Sequence, residues 1–205
     1  MPLTNSLPSS AGTNELIDLY RGIATSLISD NLGRMTGATG ILPYSRTCEM
    51  IGTALTVRTR PGDNKTIHEA LLQLQPGQVL LVDGGGDLTQ ALIGEIILAN
   101  ATVRGAAGLV IDGAIRDVSA IRKSDTPCFA RGVTHRGPYK NGPGEINVPI
   151  TIGGMVVHPG DLIVGDEDGL LAVDPETALR ILPAVREQEA SEEEKLRALR
   201  QGCLT

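Results

Sequence analysis

Residues 79–117 run VLLVDGGGDLTQALIGEIILANATVRGAAGLVIDGAIRD, in which two apolar runs flank a glycine-rich loop and a helical repeat. The apolar run over 79–83 predicts a strand that is buried on both faces of a sheet. Apolar residues then recur at helical spacing up to Gly105, and a second buried strand is predicted over 108–113. Because a helix returns the chain to the same end of a sheet, the stretch predicts an α/β fold.

The flanking segments predict helices at both ends and hairpins in the second half. Residues 1–13, rich in Ser, Pro, Thr and Gly, predict a flexible arm, and the Gly-Pro, Gly-Gly and Pro-Gly pairs over 137–174 predict hairpins. The remaining predicted elements are a helix from residue 14 to about 33 with Thr13 or Asn14 as its N-cap, a strand stopped by Pro61 and Gly62, a helix over 66–74, a strand over 126–133 and a helix over about 175–201. The second half of the last helix is too charged to be buried by its own domain, so we expect it to lie on a neighbouring subunit.

The composition disfavours several classes of protein. With 205 residues, 41% of them hydrophobic, the chain suffices for one buried core rather than two. Aromatic residues make up 2% and the formal net charge is −6, so we expect no direct binding to nucleic acid. No apolar run approaches the roughly 18 residues of a membrane span, and the N-terminus lacks a signal-peptide pattern. We therefore expect a cytoplasmic protein without membrane contact, whose three cysteines stay reduced.

The loop DGGGD over 83–87 follows the first buried strand. Its three glycines let backbone amides approach a ligand, although a tight turn explains them equally well. The loop matches neither the GxGxxG pattern nor the P-loop pattern, so a dinucleotide or ATP site is disfavoured. VLLVDGGGD is similar to the glycine-rich loop that binds S-adenosylmethionine, which makes a methyltransferase one candidate function.

The helix after this loop has two possible starts. If it begins at Gly94, the amides of its first turn are free and form a positive end that attracts an anion. Those amides belong to Gly94, Glu95, Ile96 and Ile97. If residues 91–103 form one uninterrupted helix instead, Gly94 only permits close packing.

Arg116 and Asp117 follow the second buried strand, and twenty residues separate this pair from Glu95. A helix and a strand use about that length, so both loops are predicted at the same end of the sheet. A guanidinium binds a carboxylate with two hydrogen bonds, and a carboxylate is a ligand that Mg²⁺ prefers. The pair therefore indicates a site for a small α-keto acid and a metal ion, unless it is an ordinary exposed ion pair.

Several motifs together resemble those of one known family. GGGDLTQALIGE, VIDGAIRD, GPYKNGPGEINVPITIGG and HPGDLIVGDEDG, with the acidic terminal helix, resemble the RraA-like family of RNase E activity regulators and 4-hydroxy-4-methyl-2-oxoglutarate aldolases. The resemblance covers residues 14–205. It implies a single swivelling β/β/α domain, similar to phosphohistidine domains, with N-terminal and C-terminal helices. It also implies a homotrimer or a dimer of trimers with active sites between subunits.

The resemblance to the aldolase members also implies roles for individual residues. Arg116 binds the substrate carboxylate, Asp117 binds Mg²⁺ or Mn²⁺, and Glu95 orders metal-bound water. The family more often carries Asp at the position of Glu95. The loop and helix start at Gly94, Glu95, Ile96 and Ile97 hold the substrate.

Two further positions near this predicted site depend on the same resemblance. A glutamate of the neighbouring subunit, matched by Glu193 or Glu194, contributes to the site. Ala120 stands where some active members carry an acidic residue.

The resemblance and the residues together predict a divalent-metal-dependent lyase. Such an enzyme cleaves 4-hydroxy-2-oxo acids to pyruvate and can also decarboxylate oxaloacetate, because both reactions place negative charge on the former keto oxygen. The sequence does not assign the general base. The alternative is a non-catalytic, RraA-type regulator that binds a ribonuclease and inhibits it.

Overall fold

The computed structural model describes residues 12–202, so residues 1–11 of the predicted arm lie outside the described residues. The helices of the described chain are α1 (Thr13–Tyr20), α2 (Thr25–Asp30), α3 (Lys65–Leu71), α4 (Glu95–Val103), α5 (Val118–Ile121) and α6 (Pro175–Arg200). The strands are β1 (Leu42–Pro43), β2 (Met50–Thr59), β3 (Gln78–Asp83), β4 (Ala91–Ile93), β5 (Gly108–Ile115), β6 (Cys128–Val133), β7 (Gly144–Ile146), β8 (Ile150–Ile152), β9 (Met155–Val157), β10 (Leu162–Asp166) and β11 (Gly169–Val173). Within residues 12–202, no helix has the length and apolar character needed to cross a membrane.

Four parallel strands form the centre of the main sheet, in the order β6-β5-β3-β2. Antiparallel strands extend both sides, with β1 beside β6, and β10 and then β11 beside β2. Two short strands pair near the carboxyl ends, β4 with β5 and β7 with β2. The predicted α/β domain with N-terminal and C-terminal helices is confirmed, and β8–β9 and β10–β11 are hairpins of the kind predicted over 137–174.

The sheet separates two apolar cores. In β3, Val79 and Leu81 point into a core formed with α1, α2 and α6, whereas Leu80 and Val82 point into a core formed with α3, α4 and α5. Burial on both faces explains why this strand is an unbroken apolar run. The predicted strands over 79–83, 108–113 and 126–133 are confirmed as β3, β5 and β6.

The single N-terminal helix predicted from residue 14 to about 33 is wrong, because the chain forms α1 and α2 instead. Gly22 separates them with φ of 79°, a left-handed conformation that glycine adopts without steric cost. The N-cap is Gly12 rather than Thr13 or Asn14. The helix predicted over 66–74 is also shorter, since α3 ends at Leu71.

The long helix α6 packs on its own domain only through its first half. Its buried residues are Ala178, Ile181, Leu182 and Val185. Farther along, Leu196 and Leu199 are 51% and 48% exposed, so this half of the helix is not buried by its own domain. The contact of this helix with a neighbouring subunit stays a prediction.

The two cysteines within the described residues are free thiols, with Cys128 buried and Cys48 half-buried. Burial raises the pKa of the Cys128 thiol to about 12. This thiol therefore stays protonated and unreactive near neutral pH. Cys203 lies outside the described residues.

Candidate active site

Gly94 and Arg116 each follow directly after a strand, and these two strands are parallel neighbours, β4 and β5. The backbone amide of Arg116 donates a hydrogen bond to the carbonyl of Ile93 at 3.0 Å, which ties the two strand ends together. Helix α4 begins at Glu95 with Gly94 as its N-cap. The alternative of one helix over 91–103 is therefore wrong, because its first residues form β4.

Asp117 lies against the N-terminus of α4. Its Oδ2 accepts a hydrogen bond from the backbone amide of Glu95 at 3.1 Å, and Arg116 Nε lies 3.8 Å from the same oxygen. A Cβ atom at Gly94 would overlap Asp117 Oδ2 and would stand 3.0 Å from Arg116 Cγ. Only glycine at this position leaves room for the carboxylate to reach the helix end.

The backbone of Asp117 is itself unusual, with φ of 58° and ψ of 35°. Asp and Asn tolerate this left-handed conformation better than most residues. The turn directs the carboxylate back toward α4, while the side chains of Arg116 and Asp117 stay 42% and 44% exposed. The pair is thus held in place and still accessible to a ligand.

A cavity of about 120 Å³ opens beside this pair. Such a volume suits a small organic acid, since pockets for drug-sized ligands measure roughly 300–1,000 Å³. Its walls are formed by Asn64, His68, Leu92, Ile93, Gly94, Ile96, Ile97, Arg116, Asp117, Pro138 and Lys140. Arg116 and Lys140 bring two cations to this space, which favours an anionic ligand.

The predicted site residues lie together at this point. Gly94, Ile96, Ile97, Arg116 and Asp117 line the same cavity. The amides of Ile96 and Ile97 belong to the first turn of α4, where the helix itself supplies no acceptor.

The other residues that the sequence analysis placed at or near the site do not line the cavity. Glu95 carries an exposed side chain at the first position of α4. Glu193 lines a separate surface depression on α6, and Glu194 is exposed on the same helix, so within the described chain neither lines the cavity. Ala120 lies in the short helix α5.

The glycine loop over 83–87 has a structural role. The amides of Gly84 and Gly86 both donate to the carbonyl of Asp112 at 3.1 Å, and the amide of Gly85 donates to Asp83 Oδ1 at 3.0 Å. All three glycine amides are therefore used inside the protein. The tight turn is therefore the correct interpretation of this loop, and the alternative of amides left free for a ligand is wrong.

Three polar wall residues were not predicted from the sequence: Asn64, His68 and Lys140. Asn64 and His68 lie at the start and in the body of α3, which follows β2, a parallel member of the same sheet. The rule that carboxyl ends of parallel strands gather at one edge would have found Asn64. Lys140 comes from an irregular segment and carried no such signal.

The buried carboxylate of Asp63 holds these wall segments together. Its side chain is 0% exposed, its Oδ2 accepts from the amides of Asn141 and Gly142 at 2.9 and 2.7 Å, and Oδ1 accepts from the amide of Lys65 at 2.9 Å. Burial alone would raise the pKa of Asp63. These amides and the Arg60 guanidinium outweigh it and hold the pKa below its ordinary value.

We expect Asp63→Asn to lower the free energy of unfolding at pH 7 by about 2–4 kcal/mol, because one amide acceptor and the ion pair are lost. A carboxyl whose pKa is depressed by folding stabilises the protein above its unfolded pKa of about 3.9, and this stabilisation is lost as the pH falls through the folded value. Urea unfolding is followed by circular dichroism between pH 2.5 and 7. On acidification, the free energy of unfolding should fall more steeply in the wild type than in the variant. If the free energy of unfolding fell equally steeply below pH 4 in both proteins, the stabilising role of the Asp63 carboxylate would be contradicted.

Among the residues that line the cavity, Asp117 supplies the one carboxylate that could hold a metal ion. No cluster of three or more His, Cys, Asp or Glu side chains suited to a metal occurs within residues 12–202. Mg²⁺ does not need one, since it is commonly held by one or two carboxylates, with waters and substrate oxygens completing the shell. Asp117 supplies one accessible carboxylate, of which Oδ2 is oriented by the Glu95 amide.

Comparisons with known proteins find relatives whose names differ in activity. The chain is 39% identical over 186 residues to a protein of Halalkalibacterium halodurans named "Putative 4-hydroxy-4-methyl-2-oxoglutarate aldolase", covering 90% of this chain and 89% of that protein. The RNA-processing inhibitor RraA from Thermus thermophilis is 32% identical, with a TM-score of 0.64 over 80% of this chain and 93% of that one. An S-adenosylmethionine: 2-dimethylmenaquinone methyltransferase structure from Geobacillus kaustophilus is 29% identical, with a TM-score of 0.68 over 74% of this chain and 94% of that one.

The fold class predicted from the resemblance is confirmed by these solved structures. The family model described as "RraA-like: Aldolase/RraA" matches residues 25–172, which is more than half of the sequence. The chain therefore belongs to the RraA-like family.

Proposed function

We propose that this protein is a divalent-metal-dependent lyase that cleaves a 4-hydroxy-2-oxo acid to pyruvate, of the 4-hydroxy-4-methyl-2-oxoglutarate aldolase type. One observation carries the proposal: the guanidinium of Arg116 and the carboxylate of Asp117 share one small cavity with the N-terminus of α4. The name of the relative with 39% identity supports the same activity.

Four residues of the cavity wall and the neighbouring Glu95 have defined tasks in this proposal. Arg116 binds the carboxylate of the pyruvyl end with charge-assisted hydrogen bonds. The free amides of Ile96 and Ile97 provide fixed dipoles directed at negative charge. Asp117 is the residue that would hold Mg²⁺ or Mn²⁺, and Glu95, exposed at the first position of α4, would orient water near it.

When bound, a divalent ion acts as a Lewis acid that stabilises negative charge on the keto oxygen. In the cleavage itself, the C4 hydroxyl loses its proton to a base and becomes a carbonyl. The electron pair of the C3–C4 bond moves into the pyruvyl fragment, which then takes up a proton at C3 and leaves as pyruvate. Decarboxylation of oxaloacetate breaks the corresponding bond and places the same charge on the keto oxygen, so we propose it as a second activity of the same site.

A regulator of a ribonuclease is the second candidate function, because the similar Thermus structure is an RNA-processing inhibitor. In that case surfaces outside the cavity carry the activity. A methyltransferase is disfavoured by the glycine loop, whose amides are occupied by Asp112 and Asp83.

Pyruvate release tests the proposal directly. We expect release from 4-hydroxy-4-methyl-2-oxoglutarate in a coupled lactate dehydrogenase assay, a fall of at least about 100-fold after EDTA treatment and recovery with Mg²⁺ or Mn²⁺, as the loss of several kcal/mol of charge stabilisation requires. Pyruvate added to the EDTA-treated mixture controls for the coupling enzyme. Undiminished release in EDTA contradicts metal dependence, and absence of release combined with ribonuclease inhibition favours the regulator.

A further inference from the structure

Lys140 lines the cavity from a segment whose backbone is fixed on both sides. Before it, the amide and the carbonyl of Tyr139 both form backbone hydrogen bonds, at 2.8 and 3.0 Å. After it, the amide of Asn141 donates to the buried carboxylate of Asp63 at 2.9 Å. Lys140 itself is exposed. The main chain therefore fixes the position from which this side chain extends, while the side chain stays accessible to a ligand.

The charges of the cavity wall do not cancel. Of the residues within 12–202 that line it, Asp117 supplies the one carboxylate, whereas Arg116 and Lys140 each carry a positive charge. The carboxylate of Asp117 lies 3.8 Å from Arg116 Nε, so these two charges oppose each other at close range. Lys140 therefore leaves the wall with a positive charge that a second anionic group of the ligand can balance.

Arg116 and Lys140 reach the same space from different elements. Arg116 follows β5, and a Cβ atom at Gly137 would lie 3.1 Å from Arg116 Nη1. The guanidinium thus lies against the irregular segment that carries Lys140 three residues later. Because the cavity measures about 120 Å³, it suits one small acid, which can contact both cations at once.

The substrate of the proposed function carries two carboxylates. In 4-hydroxy-4-methyl-2-oxoglutarate, one carboxylate belongs to the pyruvyl end, which Arg116 binds in that proposal. The other is attached to C4, the carbon that becomes a carbonyl during cleavage. A carboxylate that enters a partly desolvated cavity loses water contacts, so it needs a partner of opposite charge there.

We propose that Lys140 binds the carboxylate on C4 of the substrate and thereby selects dicarboxylic 4-hydroxy-2-oxo acids. This assignment rests on the proposed function and adds the residue that determines its specificity. The carboxylate on C4 takes no part in bond breaking, so its contact with Lys140 is equally strong before and during cleavage. Such a contact lowers KM and leaves kcat nearly unchanged.

A matched pair of substrates tests this role. 4-Hydroxy-4-methyl-2-oxopentanoate has a methyl group in place of the carboxylate on C4 and still yields pyruvate on cleavage. We expect Lys140→Met, which removes the charge and keeps an unbranched side chain, to lower kcat/KM for the dicarboxylate by about 10- to 100-fold, mainly through KM. For the pentanoate we expect a change of less than about threefold. If its cleavage is slow, the inhibition constant of the pentanoate against the dicarboxylate gives the same comparison.

Two further variants control for charge and for folding. Lys140→Arg keeps the charge and should retain most of the preference for the dicarboxylate. Lys123 is also exposed but lies after α5, outside the cavity wall, so Lys123→Met removes the same charge without changing the cavity. Its kinetic constants should stay within about twofold of the wild type for both substrates, which separates a local contact from general attraction of anions. Thermal melting followed by circular dichroism should show that all three variants fold, because both lysines are exposed.

Equal losses for the two substrates in Lys140→Met would overturn the assignment. An unchanged KM for the dicarboxylate in the folded variant would overturn it as well. A wild-type protein that releases no pyruvate from either substrate would instead defeat the proposed function, and this assignment with it.

Discussion

Asp117→Asn is expected to lower kcat/KM for pyruvate release by at least about 1,000-fold, equivalent to about 4 kcal/mol of transition-state stabilisation. The substitution keeps the shape of the side chain, and Asn also tolerates the left-handed backbone at this position. An amide oxygen can still accept the hydrogen bond from Glu95. What is lost is the negative charge that would hold the metal ion and balance Arg116.

The stability of the folded state should change little in this variant. We expect the thermal midpoint to move by less than about 4 °C, because the exposed ion pair with Arg116 contributes little to stability. Asp30→Asn is the control, since Asp30 is comparably exposed at 42% and also pairs with an arginine, Arg34, at 3.1 Å. Calorimetry with Mn²⁺ and oxalate should show weaker metal binding only for the Asp117 variant. Retention of more than a tenth of the activity by Asp117→Asn would refute the assigned role.

Gly94→Ala should also lower the activity much more than the stability, but for a steric reason. Gly94 has an extended backbone, with φ of −149° and ψ of −164°, so alanine meets no backbone strain there. Its methyl group instead overlaps the Asp117 carboxylate and crowds Arg116. Because both contacts are side chains that can move, we expect the fold to survive and the catalytic pair to shift.

The expected loss of kcat/KM is about 100-fold or more, since displacements of about 1 Å can cost this much. The free energy of unfolding should fall by no more than about 1–3 kcal/mol, the usual range for overpacking. Gly12→Ala is the control, because a Cβ atom there meets nothing within 4 Å and φ is −62°. A crystal structure of Gly94→Ala with an unmoved carboxylate and normal activity would disprove the steric argument.

The central part of the site could be predicted from the sequence because it lies within one continuous stretch of regular strands and a helix. Residues 79–117 contain two apolar strands joined by a helix, and the return of the second strand to the same sheet edge follows from chain length and handedness. The spacing between Glu95 and Arg116 thus predicted their proximity correctly. The roles of these residues in catalysis stay predictions until they are measured.

The predictions that were wrong, and the residue that was not predicted, each have a physical reason. Glycines allow both ligand approach and close packing, and the sequence does not show that the carbonyl of Asp112 takes two amides of the loop over 83–87. The N-terminal break lies at Arg21, Gly22 and Ala24, whose backbones are not helical although the apolar residues around them keep a helical repeat. Asn64 was missed because the sequence analysis predicted both β2 and β3 but not that they are parallel neighbours.

The cavity is formed by two kinds of backbone, paired strand ends and an irregular segment, which differ in how readily they tolerate substitutions. Arg116 and Gly94 sit at the ends of paired strands, so shifting one disturbs the ladder that holds the other. Pro138 and Lys140 come from an irregular segment that is held by backbone hydrogen bonds of Tyr139 and by the carboxylate of Asp63. Substitutions in that segment should therefore change the shape of the cavity while leaving Arg116 and Gly94 in place.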